Sequence, residues 1–267
     1  DIFGNPLLNE SHDNLFSIDT KNPVTANVFL SDTLINIADA SNNLQIQTII
    51  TFNEEMDTST TPYLRVYNGN TEHSSVLMNP FASAWLDQHT FLSELWVTND
   101  NHDLINLDVL CFEAFDLNGN VMTDTLVTSN LYSDLRAPEL DTIIPVYQII
   151  SDNAVGSSNY YIDIEFNEPM DTTLLPFLIH ESLQSTSQSL QYNIAESFPL
   201  NDMSYRVFFN VYDENIEIDN INLKILHGKD ISGNTQNIVI VNDFIEIDTK
   251  NPSISSININ PNVLSFD

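Results

Sequence analysis

Three features of the sequence predict an all-β chain folded as two β-sandwich modules in tandem. The first is repetition. FNEEMD at 52–57 returns as FNEPMD at 166–171, an offset of 114 residues. Asp1, Asp116 and Asp230 each open a D-x-x-G-N string, while Asp19, Asp134 and Asp248 open DTKNP, DLRAP and DTKNP, all at offsets of 114 or 115. A period of that length describes a module able to bury its own core, unlike solenoid repeats of roughly 20–50 residues, which need their neighbours. The second feature is two-residue alternation of apolar and polar positions, the signature of a half-buried strand. The third is composition. β-Branched and aromatic residues are plentiful, glycine is limited to six, and no segment sustains a 3.6-residue apolar period.

Taken in order, the first module opens its clear alternation at 44–52. Leu44, Ile46, Ile50 and Phe52 point to one face there, and Gln45, Gln47 and Thr51 to the other. Segments 63–67, 91–98 and 121–132 read as further strands, and Leu107, Val109 and Cys111 give another inward-facing set. A single helical turn is expected at 79–85. The second module repeats the pattern: Tyr160, Ile162, Ile164 and Phe166 face inward with Asp163 and Glu165 outward, followed by 174–180, 203–212, the inward set Ile221, Leu223 and Ile225, and 236–247. About seven short strands per module suit a sandwich. The expected boundaries are 1–18 for the end of a preceding module, 19–133 and 134–247 for two full ones, and 248–267 for the start of a following one, so the chain reads as a window of a longer array.

Charge excludes several functions. Seven Lys and Arg against 38 Asp and Glu give a net charge of −31, the wrong sign for tracking nucleic-acid phosphates or anchoring on anionic lipid. No apolar run of membrane-spanning length is present. Such self-repulsion is relieved by divalent cations or by dispersed solvation in a salty medium. The single cysteine, Cys111, sits in the apolar run LDVLCFEAF and reads as a small core residue. The lack of a disulfide framework points toward a bacterial surface or secreted protein.

The F-N-E-P-M-D string at 166–171 and the DISGN turn at 230–234, with their counterparts FNEEMD and DLNGN in the first module, resemble those of the bacterial immunoglobulin-like tandem repeats of S-layer proteins and large surface adhesins. The first module departs from that pattern in carrying Glu55 where the proline stands. The resemblance implies tandem immunoglobulin-like sandwiches in which the loop after the second strand and the loop before the last strand share a pole with the start of the first strand. Asp19, Glu54, Asp57 and Asp116 then gather at one end of the first module, and Asp134, Glu168, Asp171 and Asp230 at one end of the second. Such hard oxygen donors select calcium, and Asp100 or Asp103 of the loop TNDNHDLIN could add to the Asp134 group. The competing reading is equally physical: D-x-x-G-N is also an ordinary Asx turn, with glycine left-handed and the aspartate bonded to main-chain amides. It is not an EF-hand, for no D-x-D-x-D-G loop occurs.

Catalytic signatures are missing from the sequence. The six histidines, at 12, 73, 89, 102, 180 and 227, show no zinc-binding spacing and read as solvated strand or loop residues. There is no G-x-S-x-G elbow, P-loop or G-x-G-x-x-G string. The two tryptophans, Trp85 and Trp96, both lie in the first module; packing within the sandwich is the expected role, and stacking on a sugar ring the alternative.

The sequence therefore predicts a non-enzymatic segment of an extracellular bacterial cell-surface protein, an adhesin stalk or filament whose junctions are stiffened by calcium. Its partners would be the neighbouring repeats of the same chain, surface glycans or another cell, and further copies in a filament or homo-oligomer. A carbohydrate-binding or S-layer lattice module, and an accessory region of a secreted hydrolase, are the alternatives.

Overall fold

The alternating segments form strands whose apolar faces converge on two separate cores. The computed structural model describes residues 2–4, 16–42, 45–182 and 189–258, and the chain divides into two units, Asp1–Leu135 and Arg136–Asp267. Asp1, His12 and Leu44, singled out above, lie outside the described residues.

Unit 1 runs β1 (Thr25–Leu30), β2 (Leu34–Ile35), a helical turn α1 (Ile37–Ser41), β3 (Gln45–Phe52), β4 (Tyr63–Asn68), β5 (Thr71–Glu72), β6 (Val76–Trp85), β7 (Thr90–Val97), β8 (Ile105–Phe112) and β9 (Thr125–Ser133). These make one sheet in the order β1-β3-β7-β6 and a second in the order β2-β9-β8-β4-β5. Among the described residues every pairing is antiparallel except β2 with β9, which sets Leu34 against Tyr132 and Ile35 against Ser133. Unit 2 repeats the plan with β10 (Leu140–Pro145), β11 (Ile149–Ser151), a 3-10 turn at Asp152–Ala154, β12 (Gly156–Phe166), β13 (Phe177–Glu181), β14 (Leu190–Pro199), β15 (Ser204–Val211), β16 (Glu217–Leu226) and β17 (Val239–Asp248). Its sheets are β10-β12-β15-β14 and β11-β17-β16-β13, again with one parallel pair, β11 and β17.

Each unit is a sandwich because both of its sheets contribute to one core. In unit 1, Ile50, Phe52 and Phe91 of the first sheet meet Leu64, Val109, Cys111 and Leu131 of the second. In unit 2, Ile164, Phe166 and Tyr205 meet Leu178, Leu223, Ile225 and Ile245. All are at most 3 % exposed, and each such burial is worth about 1.5–3 kcal/mol.

The repeat extends to backbone detail. Asn101 and Asn215, Glu113 and His227, and Gly119 and Gly233 all take positive φ. The exchange of Glu113 for His227 thus keeps a left-handed conformation, not a side chain.

Residues 79–85 correct one expectation, since they form the end of strand β6. A bulge hides the alternation: the register against β7 slips between Asn79 and Ala84, with Ser83 Oγ donating to Asn79 O at 2.8 Å. Strand β14 slips equivalently between Asn193 and Phe198, and Ser197 Oγ donates to Asn193 O. The helical turn of unit 1 lies instead at α1, where Asn36 Oδ1 accepts the amides of Ala38 and Asp39 and Asp39 Oδ2 accepts that of Asn36, a complete capping box.

Candidate metal centre

The loop after β3 is fixed from below by Met56, which is fully buried and bridges to Asp116. Asp57 N donates to Phe115 O at 2.8 Å and Leu117 N to Glu55 O at 3.4 Å. These bonds hold the glutamate of F-N-E against the D-x-x-G-N turn. The segment leading into β1 is bound to the same place. Val24 N and Asn53 Oδ1 pair at 2.7 Å, and Asn118 Nδ2 donates to Asp19 Oδ2 at 2.9 Å.

The result brings together three acids that are far apart in sequence. Asp19, Glu54 and Asp116 each offer a carboxylate oxygen, and the three oxygens lie within 4.8 Å of one another. Like charges at that separation repel by about 1 kcal/mol in bulk water and by about 3–4 kcal/mol at the effective dielectric of a protein surface. Asp116 is 2 % exposed. Its Oδ1 accepts the amides of Asn118 and Asn120, both at 2.8 Å, and its Oδ2 accepts Asn120 Nδ2 at 2.7 Å. Burial alone would raise its pKa, but these bonds outweigh that and hold the carboxyl below its ordinary value. The Asx-turn reading therefore describes Asp116 correctly, yet it leaves Glu54 unexplained, because Glu54 Oε1 is buried without a hydrogen-bond partner.

Asp57 does not join this group. Its Oδ1 accepts both the amide and the hydroxyl of Ser59, at 2.9 and 2.6 Å, which lowers its pKa. Asp171 does the same with Thr173. The short polar residue two places on captures each carboxylate locally. In unit 2, Glu168 and Asp230 converge within 4.8 Å, and Asp230 accepts the amides of Ser232 and Asn234 and the side chain of Asn234. Asp134 lies at the end of β9 in unit 1, 1 % exposed, its amide donating to Ile35 O at 2.8 Å.

The loop 98–104 also departs from expectation. Asp100 turns to His102 and to Ser75, and His73, Asp100 and His102 form a second group whose ligand atoms lie within 4.8 Å. Reading these histidines as separately solvated residues was wrong. His73 and His102 are 29 residues apart in sequence, and the fold alone joins them.

Cys111 is fully buried, and burial, with a smaller contribution from Asp124, pushes its thiol up to about 12, far from a nucleophile. Trp85 donates to Thr60 O at 2.7 Å and packs on Phe52 and Phe91. Trp96 is 45 % exposed. Among the described residues no helix is long and apolar enough to cross a membrane.

No protein-family profile matches the chain, and no curated protein matches it. Among solved structures it is similar to the N-terminal part of the bacterial S-layer protein SbsC, at 10 % identity and TM-score 0.27 over 85 % of this chain and 44 % of that one. It is similar also to domains 1–6 of the surface layer protein SbsC, at 11 % identity and TM-score 0.27 over 89 % of this chain and 27 % of that one. The chain thus spans less than half the length of either structure.

Proposed function

We propose that the chain is a structural segment of a cell-surface protein, built of tandem immunoglobulin-like sandwiches whose acidic groups bind calcium and stiffen the junctions of an extended stalk or filament. It works without catalysis. The strand orders, four strands beside a second sheet opened by a short parallel strand, support the immunoglobulin-like reading.

The observation that carries the calcium reading is the group Asp19, Glu54 and Asp116. It couples the segment entering unit 1 to two loops of that unit, and it contains a buried carboxylate oxygen with no hydrogen bond. Calcium takes six to eight oxygen ligands, so three carboxylates leave room for carbonyls and water. The same acids recur in sequence at Asp134, Glu168 and Asp230. A cation at Asp19, Glu54 and Asp116 would restrain the segment leading into unit 1.

The test measures melting temperature and small-angle scattering of the chain in calcium and in EDTA. Chelation is expected to lower the melting temperature and broaden the distance distribution, with calcium reversing both, and Glu54→Gln is expected to remove part of the response. Indifference of both readouts to EDTA would sink the calcium reading.

One observation favours surface recognition as a second role. Trp96 on β7 stands opposite Leu77 on β6, both about half exposed, which suits stacking on a sugar ring. Loss of glycan-array binding in Trp96→Ala would support it, and a blank array for the parent chain would remove it.

A further inference from the structure

We propose that His73, Asp100 and His102 form a binding site for a zinc ion in unit 1, distinct from the acidic group at Asp19, Glu54 and Asp116. Two imidazole nitrogens and one carboxylate oxygen are a borderline-soft donor set that suits zinc and not calcium, and three protein ligands with an open fourth position match a common zinc arrangement. Tetrahedral ligands about 2.0–2.1 Å from the ion stand about 3.4 Å from one another. The three ligand atoms already lie within 4.8 Å of one another, so modest side-chain adjustment closes the shell.

Two buried hydroxyls orient the ligands. Ser133, fully buried, contacts His102 Nε2 at 2.9 Å, and Ser75, 2 % exposed, donates its hydroxyl to Asp100 Oδ2. A metal-ligating histidine commonly has its second ring nitrogen held in this way. His102 Nε2 meets the Ser133 hydroxyl and its Nδ1 faces Asp100 Oδ1, so one ring nitrogen is held by the fold and the other stands beside the carboxylate. The ring of His73 completes the group, edge-on to that of His102 with centroids 5.0 Å apart.

The place of the site gives it a consequence. His102 O accepts the amide of Leu135 at 2.9 Å, so an ion here fixes the loop 98–104 on which the last residues of unit 1 are bound. Unit 2 carries Ser187, Glu214 and Ile216 at the corresponding sequence positions, so the site belongs to one unit only.

Calorimetric titration of zinc into the metal-free 267-residue chain, in excess calcium, tests the proposal. One ion per chain is expected. Affinity should fall at least tenfold in His73→Gln and His102→Ala and about 10- to 100-fold in Ser133→Ala, with His89→Ala and Glu54→Gln unchanged. Cobalt substitution should give the visible bands of four-coordinate cobalt, lost in the same variants. Where His102→Ala does not fold, His73→Gln and Asp100→Asn decide the matter, with circular dichroism confirming their structure. Absence of zinc uptake, or uptake unaffected by His73→Gln and Asp100→Asn, would overturn the site.

Discussion

Unit 1 and unit 2 build the same short hairpin behind the acidic turn and fill it differently. In unit 1, Met122 N donates to Ala114 O at 2.8 Å, and in unit 2, Gln236 N donates to Gly228 O at 2.9 Å. Behind that shared backbone, Met122 packs its sulfur 3.9 Å from Cys111, whereas Gln236 turns a buried amide inward. Gln236 Oε1 accepts Gly228 N at 3.2 Å, and its Nε2 reaches the carbonyls of Ile225 and Asn237. The glycine is the condition for the glutamine, since a Cβ at residue 228 would stand 2.2 Å from Gln236 Oε1. Ala114 with Met122 and Gly228 with Gln236 are therefore alternative solutions of one site. The repeat preserves backbone bonds and exchanges side chains in coupled pairs.

The strongest way to break the equivalence of the units is to remove the turn aspartate from each. Asp116→Ala and Asp230→Ala each delete three hydrogen bonds to a carboxylate, and each should cost about 2–4 kcal/mol. Both tryptophans lie in unit 1, so their fluorescence during urea unfolding reports that unit alone, and circular dichroism supplies the other transition. Costs differing by more than about 1 kcal/mol would show that the turns are not interchangeable. Asp116 adds a pH signature. Its folded pKa lies below the ordinary 3.8, so its contribution is full above that value and is lost as pH falls through the folded one. The gap between parent and Asp116→Ala should narrow in the same acid range.

A smaller effect sharpens the paired exchange. Gly228→Ala should destabilise unit 2 by about 1–2 kcal/mol as Gln236 is displaced from its bonds. Gly228→Ala with Gln236→Met, which copies unit 1, should recover most of that loss, and a purely additive double variant would refute the pairing.

The smallest expected effect concerns His180, which takes the place of Val66. Burial lowers its pKa, partly offset by its bond to Leu190 O. Protonation therefore favours the unfolded chain, and unit 2 should lose stability as pH falls from 6.5 toward the folded value. His180→Val should flatten that slope in unfolding experiments between pH 7 and 5.

Much of this plan was legible in the sequence because each inward face is local. Ile46, Ile50 and Phe52 announce themselves by alternation, and so do Tyr160, Ile162 and Ile164. The edge strands were harder. Strands β6 and β14 carry bulges at Asn79 and Asn193 that break the period of two, and β1 and β10 alternate only between half-buried and exposed positions. Asp19, Glu54 and Asp116 could be associated because the repeat marked all three. Asp57 shared that mark but is held by Ser59, a local competition that repetition does not reveal. His73 and His102 carried no mark, since unit 2 has no counterpart and the loops that join them are distant in sequence.

The parallel pairs β2 with β9 and β11 with β17 have a consequence under load. Each joins a strand near the start of a unit to the strand that ends it, through Leu34 and Ile35 against Tyr132 and Ser133, and through Ile149 to Ser151 against Glu246 to Asp248. When the two ends of such a unit are pulled apart, neighbours that run the same way are dragged past each other lengthwise. Their slanted hydrogen bonds are then strained together and do not open one at a time. Resistance of that kind is set by the unfolding rate and not by equilibrium stability. A unit of modest thermodynamic stability can thus hold against a sudden pull.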